Sequence, residues 1–364
     1  MKKQNIVITG GGTGGHIYPG LALADRLKET HPQIQVHFVG AQGGLEEKIV
    51  PKQGYPLHCL SVGRLHPSVP RLQRLLSLLK LPLAFFQAFL LVIKLRPRWV
   101  LGIGGFASGP FVFVASLLGR VTAFLEPNAF PGMTNRYLSR WVRYCFVVFS
   151  EAGKTFPPQK VRLVGLPVRL PKRPPKAESW MDRPFRILIF GGSQGSRAIN
   201  KVVADWVENL GDKSQEVEVV HQIGNRDFAQ WHARYENKHQ SFLTYTEYIN
   251  DMPDKLDWAD LVICRAGVGS VVEVAMASRA AIFIPLPTAA DNHQFKNAEV
   301  LVNQEAAFMI EEKDFNWQAL DSLIFDLKED PIRLMRTMEN LKNIDYSNAP
   351  DEIIQTLMGE ANGN

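Results

Sequence analysis

Hydrophobic positions along this chain fall into two alternating patterns, short β-branched runs and longer stretches at helical spacing. The first run is Ile6-Val7-Ile8, which reads as a buried parallel strand. It ends in glycines at 10, 11, 12, 14 and 15. Ile17–Lys28 then reads as a helix, with Pro19 tolerated in its first turn. The succession returns about half a chain later: Arg186–Phe190 predicts a strand, Gly191–Arg197 a glycine loop, and the chain from Ala198 a helix. Val100–Phe106 is a weaker third copy. Two strong copies in two halves predict an α/β protein of two similar domains with parallel sheets facing one central cleft.

Further strands are expected at Gln35–Val39, Val121–Leu125, 217–221, 242–246, 261–264 and 281–284. Residues 166–184 are rich in proline and charge and read as a hinge. The expected domains are therefore 1–165 and 166–344, with 345–364 as a tail. In that tail Asp351–Gly359 reads as an amphipathic helix that packs back on the first domain.

Residues 71–98 differ from the rest. Leu72, Leu75, Leu76, Leu79, Leu83, Phe86, Phe89, Leu90 and Ile93 recur at helical spacing, with a break expected at Pro82. Arg64, Arg71, Arg74, Lys80, Lys94, Arg96 and Arg98 surround them, and residues 64–98 hold no Asp or Glu. One reading is a core-facing helix with a solvated basic face. The other is an apolar patch with a basic rim that docks on anionic lipid. Residues 99–119 are uncharged, but Gly102, Gly104, Gly105, Gly109 and Pro110 interrupt them, so a strand, loop and buried helix are expected there, not a membrane span.

At 364 residues the chain is long enough for two cores. A net charge of +5 suits acidic partners such as nucleotide phosphates or an anionic membrane face, and no nucleic-acid motif is present. Cys59, Cys145 and Cys264 are isolated, which argues for a reducing compartment, for buried thiols and against zinc. Met1 to Asn5 leads straight into the first strand, so no signal peptide fits.

Strand, glycine loop and helix together offer bare amides and a positive helix end to an anion. Gly10, Gly12 and Gly15 also satisfy G-x-G-x-x-G, but a nicotinamide cofactor wants an acid at the end of the second strand. That place holds Gly40-Ala41-Gln42, with Glu46 and Glu47 later in an apparent helix, so no such cofactor is expected. Leu261–Cys264 opens into another phosphate-competent loop, Arg265–Ser270, followed by Glu273. Glu273 either complements its helix dipole or accepts both hydroxyls of a ribose. Ile284–Gln294 is rich in side chains able to bond a sugar. Glu126-Pro127-Asn128 is a polar turn at a strand end, where Asn128 is either a turn residue or a ligand contact.

Taken together, these motifs resemble the MurG family of bacterial peptidoglycan glycosyltransferases over nearly the whole chain. The resemblance rests on Gly10–His16 with Pro19-Gly20, Gly102–Gly105, Gly191–Arg197, Leu166–Arg169, Cys264-Arg265-x-Gly267 with Glu273, and Asp291-x-x-Gln294 with Asn297-Ala298. It implies a GT-B fold of two Rossmann-like domains. It also implies transfer of GlcNAc from UDP-GlcNAc to the C4 hydroxyl of undecaprenyl-pyrophosphoryl-MurNAc-pentapeptide, with inversion. The donor contacts it implies are Ile249 to uracil, Glu273 to ribose, and Ser193 with the amides of Val268, Gly269 and Ser270 to the diphosphate. Arg169 would lie at the hinge beside the phosphates, and Gln294, Asn128 and the loop residues Thr13, Gly14 and Gly15 would approach the sugar nucleotide. Gly12, Gly104 and Gly105 would receive the acceptor diphosphate. The patch of Leu75, Leu79, Phe86, Arg71, Arg74 and Lys80 would hold the protein peripherally on the cytoplasmic face of the inner membrane, with cell-wall synthesis and division proteins as partners. Three positions depart from the family: Phe106 for Tyr, Pro127 for Gln, and His293 beside Gln294 for a pair of glutamines.

His16, ending an amide-rich loop, is either the general base or a ligand of the acceptor diphosphate or a helix cap. With no Asp-x-Asp pair, no metal or other cofactor is expected, and amides, helix ends and Arg169 would stabilise the leaving UDP. The rival readings are another GT-B transferase, a UDP-sugar epimerase, and a nucleotide-sensing or membrane-bound scaffold without turnover.

Overall fold

The protein is described from a computed structural model, covering residues 4–63, 77, 79–169, 171–174, 180–192, 194–236 and 241–359. Arg71, Arg74, Leu75 and Ser193 lie outside the described residues. The chain forms two compact units: one reaches Arg169 and takes up the chain again from Tyr346, and the other runs from 170 to 345.

The first unit is built on seven strands: β1 (Gln4–Gly10), β2 (Ile34–Ala41), β3 (Leu57–Leu60), β4 (Trp99–Gly104), β5 (Val121–Glu126), β6 (Tyr144–Val147) and β7 (Val161–Leu163). Their order is β3-β2-β1-β4-β5-β6-β7, all parallel. Parallel strands covered on both faces must be apolar throughout, and Ile6, Val7, Ile8, Val100, Leu101, Phe124 and Leu125 are all buried. The order reverses between β1 and β4, which pair from Ile6 with Trp99 to Gly10 with Gly104 across a register shift after Thr9. Ligands of open α/β sheets bind where the order reverses.

The second unit repeats the plan with β8 (Phe185–Phe190), β9 (Val217–Gln222), β10 (Leu243–Thr246), β11 (Leu261–Cys264), β12 (Ala280–Phe283) and β13 (Phe308–Met309). The order is β10-β9-β8-β11-β12-β13, again parallel, and it reverses between β8 and β11. Its core joins Phe185, Ile187 and Ile189 to Trp206, Ile263 and Ile324.

Four strands escape the sequence reading. β7 and β13 are three- and two-residue edge strands, and β3 is a four-residue edge strand, all too short for a period to show. β6 is a four-residue apolar run buried on both faces, which hydropathy alone does not separate from a buried helix turn. The first helix also begins earlier than its pattern suggests. It spans Gly14–Thr30, so Pro19 lies inside it and not in its first turn. The helical stretch is interrupted at the break expected at Pro82: Leu79 is helical, Lys80 is a turn, and a new helix, Leu81–Leu95, starts with Pro82 in its first turn, where the missing N–H costs nothing. Residues 99–119 form β4 and the largely buried helix Ser108–Leu117. Among the described residues no helix is long and apolar enough to cross a membrane.

The helix Ala349–Gly359 belongs to the first unit, where it packs on Gly14–Thr30. Arg26 grips Asp351 there through Nε at 2.8 Å and Nη2 at 3.0 Å.

Candidate functional site

In the first unit the loops after β1 and β4 meet at the reversal point. A side chain at Gly10 would press on Gly104 O, and one at Gly105 on Gly11 O. Gly104 and Gly105 also hold φ of 112° and 85°, which a side chain disfavours. Glycine thus serves both the turn and the close approach of the two loops. A side chain at Gly104 would also strike His16 Nε2, so the imidazole of His16 lies directly over the second loop. His16 Nδ1 lies 3.1 Å from Gly11 O and 3.3 Å from Thr13 Oγ1. Thr13 is the N-cap of Gly14–Thr30 but makes no side-chain cap, so the helix start, with Gly14 and Gly15, keeps its anion-attracting end.

Gly12 departs from its expected place. Its amide already donates to Glu46 Oε2 at 2.8 Å, and Glu46 Oε1 accepts from Ala41 N at 2.8 Å. An acid therefore does reach the end of the second strand, but it is spent on backbone amides. Glu46 is buried, although its sequence position at the start of a short helix suggests a solvated carboxylate.

The end of β5 holds a second carboxylate with no role expected from its sequence. Glu126 is buried and accepts from Asn128 N at 3.1 Å, Gly132 N at 3.0 Å and Asn135 Nδ2 at 2.9 Å. Burial raises its pKa, and the bonds from Asn135, Asn128 and Gly132 oppose that rise. Asn128 turns toward this carboxylate, with Nδ2 at 3.5 Å from Oε1. A charged residue closing an otherwise apolar strand was the available signal. Arg169, expected beside phosphates, pairs within the first unit, with Asp25 at 2.7 Å and Gln53 Oε1 at 3.2 Å.

In the second unit the loops after β8 and β11 flank the other reversal point. Gly195 has φ of 72°, and a side chain there would strike Ile223 O, so only glycine fits. Ser196 caps the helix Arg197–Asn209 by accepting from Ile199 N. The helix Val268–Ala277 starts at Gly267 with no side-chain cap, and side chains at Gly267 or Gly269 would meet nothing within 4 Å. The amides of Val268, Gly269 and Ser270 thus open a helix whose positive end no side chain caps, as an anion site requires.

Arg265 ties this region together. It is buried and donates to Ser196 Oγ at 3.0 Å, to Ile284 O and Pro285 O at 3.1 and 3.2 Å, and to Glu312 at 2.5 Å. The sequence marks it by its place after a buried strand and in the motif Cys264-Arg265-x-Gly267, but not by its partners. Glu273 follows one turn into the Val268–Ala277 helix, and desolvation pushes its carboxyl up to about 7. Ile249 is buried after β10. Gln294 Oε1 accepts from Leu286 N at 3.0 Å, which anchors the side chain across the loop that follows β12. His293 Nδ1 donates to Ala290 O at 2.7 Å, and Asp291 and Asn292 hold left-handed φ of 52° and 54° just before it.

Residues 6–147 match the Glycosyltransferase family 28 N-terminal domain, and residues 186–353 match the Glycosyltransferase family 28 C-terminal domain. A relative from Bdellovibrio bacteriovorus is 46% identical over 94% of this chain and 95% of its own length. It is named UDP-N-acetylglucosamine--N-acetylmuramyl-(pentapeptide) pyrophosphoryl-undecaprenol N-acetylglucosamine transferase. A relative from Myxococcus xanthus, 40% identical over 92% of this chain and 87% of its own, carries the same name. The crystal structure of Acinetobacter baumannii MurG superposes with a TM-score of 0.80 at 28% identity, covering 98% of this chain and 99% of that one. A UDP-GlcNAc 2-epimerase from Neisseria meningitidis reaches 0.65 at 13% identity over 98% and 100%, a likeness of fold alone.

Proposed function

The chain belongs to glycosyltransferase family 28, and from that membership we propose that it moves GlcNAc from UDP-GlcNAc to undecaprenyl-pyrophosphoryl-MurNAc-pentapeptide in peptidoglycan synthesis. Identity of 46% along nearly the full length of a transferase so named carries this reading. The epimerase alternative has only the shared GT-B fold in its favour.

The second unit takes the donor. Uncapped amides at Val268–Ser270 and the helix start after Gly191–Ser196 suit a diphosphate, and they stabilise the charge that grows on UDP as it leaves. Glu273 accepts the ribose hydroxyls, Ile249 contacts uracil, and Gln294 contacts the sugar. The first unit takes the acceptor at the loops holding Thr13–Gly15 and Gly104–Gly105. The C4 hydroxyl attacks the anomeric carbon from the face opposite UDP, its proton passes to His16 Nε2, and the configuration inverts. Asn128, held at Glu126, reaches the sugar.

The protein works as a peripheral protein on the cytoplasmic membrane face. The helix Leu81–Leu95 supports this by an inverted distribution of size. It buries Ala84, Ala88, Val92 and Leu95 and exposes Leu83, Phe86, Phe89, Leu90 and Ile93. A helix serving only the core does the opposite. Leu79 is 69% exposed beside it, and Trp141 is edge-on to Phe113, which is edge-on to Phe85 of the helix. Trp141, Tyr137 and Met133 extend the apolar surface, and exposed Lys80, Lys94, Arg136 and Arg140 supply positive charge for anionic headgroups.

The test is UDP release from UDP-GlcNAc with a short-chain polyprenyl-diphospho-MurNAc-peptide, with UDP-GalNAc and UDP-glucose in parallel. Acceptor-dependent release selective for UDP-GlcNAc is expected. Release that ignores the acceptor would point to an epimerase or hydrolase. A His16→Ala variant with near-full kcat would remove His16 from the chemistry.

A further inference from the structure

We propose that Glu46 is a positioning residue for His16, acting through the single peptide group between Gly11 and Gly12. The proposal deepens the reading of His16 as the base and rests on it.

The peptide unit joining Gly11 to Gly12 is planar, and in the trans form its N–H and C=O point in opposite directions. On one side the Gly12 N–H donates to Glu46 Oε2 at 2.8 Å. On the other the Gly11 carbonyl faces His16 Nδ1 at 3.1 Å. A carbonyl can only accept, so Nδ1 carries the hydrogen, Thr13 Oγ1 at 3.3 Å shares it, and the lone pair of the neutral ring sits on Nε2. The plane cannot turn without breaking both contacts. A carboxylate, a peptide and an imidazole are thus joined in series, and the anion at one end strengthens the acceptor at the other.

The seat of this carboxylate is built. Glu46 is 1% exposed, and its second oxygen is held by Ala41 N. Side chains at Gly11, Gly40 or Gly44 would all collide with its carboxyl group. None of the three has a φ that demands glycine. They are small because Glu46 is there. A buried carboxylate is costly, and two short bonds from backbone amides are what offset it. Gly12, by contrast, has a φ of 84° and open space around it, so its glycine serves the turn.

Glu46→Gln keeps the size but offers an NH2 where an amide N–H must be accepted, so one of the two bonds is lost. Gly44→Ala pushes the carboxylate from its seat while leaving Glu46 in place, and it stands in should Glu46→Gln fold poorly. Both are measured in the full chain for kcat with the lipid-linked acceptor, for KM of UDP-GlcNAc, and for the His16 tautomer by long-range 1H–15N spectra of the ring. The expected result is a kcat lower by about tenfold or more, a donor KM within about twofold of wild type, and a ring that changes from Nδ1–H to a mixture. An unchanged tautomer, or a wild-type kcat with a changed one, would overturn the proposal. If His16→Ala stays active, the base reading fails, and the spectrum alone then decides whether Glu46 orients the ring.

Discussion

Arg265 Nε donates to Ser196 Oγ at 3.0 Å, so one buried guanidinium joins the loop after β11 to the loop after β8. The same group reaches Ile284 O, Pro285 O and Glu312, and so also fixes the chain after β12. Lysine cannot make this fork. Arg265→Lys is expected to cost about 1–3 kcal/mol of stability and to weaken UDP binding at least several-fold. Thermal unfolding and UDP titration measure the two effects. Wild-type UDP affinity in this variant would show that the loops hold without the fork.

Glu273 gives a pH dependence of known sign. Its carboxyl is held up at about 7 by desolvation. A raised carboxyl pKa favours the protonated folded form. The stability it supplies to the ligand-free protein is complete below the unfolded value of about 4.5 and is lost as pH rises toward 7. Accepting two ribose hydroxyls needs the ionised form. UDP affinity is therefore expected to fall as pH drops below 7, and a Glu273→Gln variant should lose that dependence. Equal pH slopes in the two proteins, read by calorimetry, would count against the ribose role.

The exposed face of Leu81–Leu95 is testable apart from catalysis. Phe86 and Leu90 are exposed, so charge placed there should leave the fold intact. A Phe86→Glu, Leu90→Glu double variant is expected to lose most co-sedimentation with anionic liposomes while keeping UDP affinity. Liposome binding that ignores anionic lipid content would remove the electrostatic part of the reading.

Turnover is expected to survive EDTA, since amide groups and helix ends carry the leaving-group charge in the proposed mechanism. Loss of activity on chelation, restored by Mg2+ or Mn2+, would overturn that expectation.

Glu126→Gln tests the carboxylate at the end of β5. Its oxygens accept two backbone amides and Asn135 Nδ2, and a carboxamide cannot accept all three. A loss of about 1–3 kcal/mol is expected in thermal unfolding, together with a lower kcat through Asn128.

What the sequence by itself determined is what short stretches of chain decide. A β-branched run, a glycine loop and a helix are set by residues a few positions apart, and Ile6–Gly15 and Ile187–Gly195 show them plainly. Two such halves imply parallel strands, because a helical crossover returns the next strand in the same direction, whereas the reversal of their order was set by the tertiary structure. The β6 strand and the short edge strands were lost because a four-residue run carries no period. Only the tertiary structure decided what Glu46, Glu126 and Arg265 touch. Glu46 reads only as part of an apparent helix after the second strand, yet its seat is made by glycines at 11, 40 and 44 and its partner is the amide of Gly12. Arg265 meets partners as far along the chain as Ser196 and Glu312. A buried charge is stable only where distant backbone closes around it, and nothing in its own neighbours along the chain records which backbone that will be.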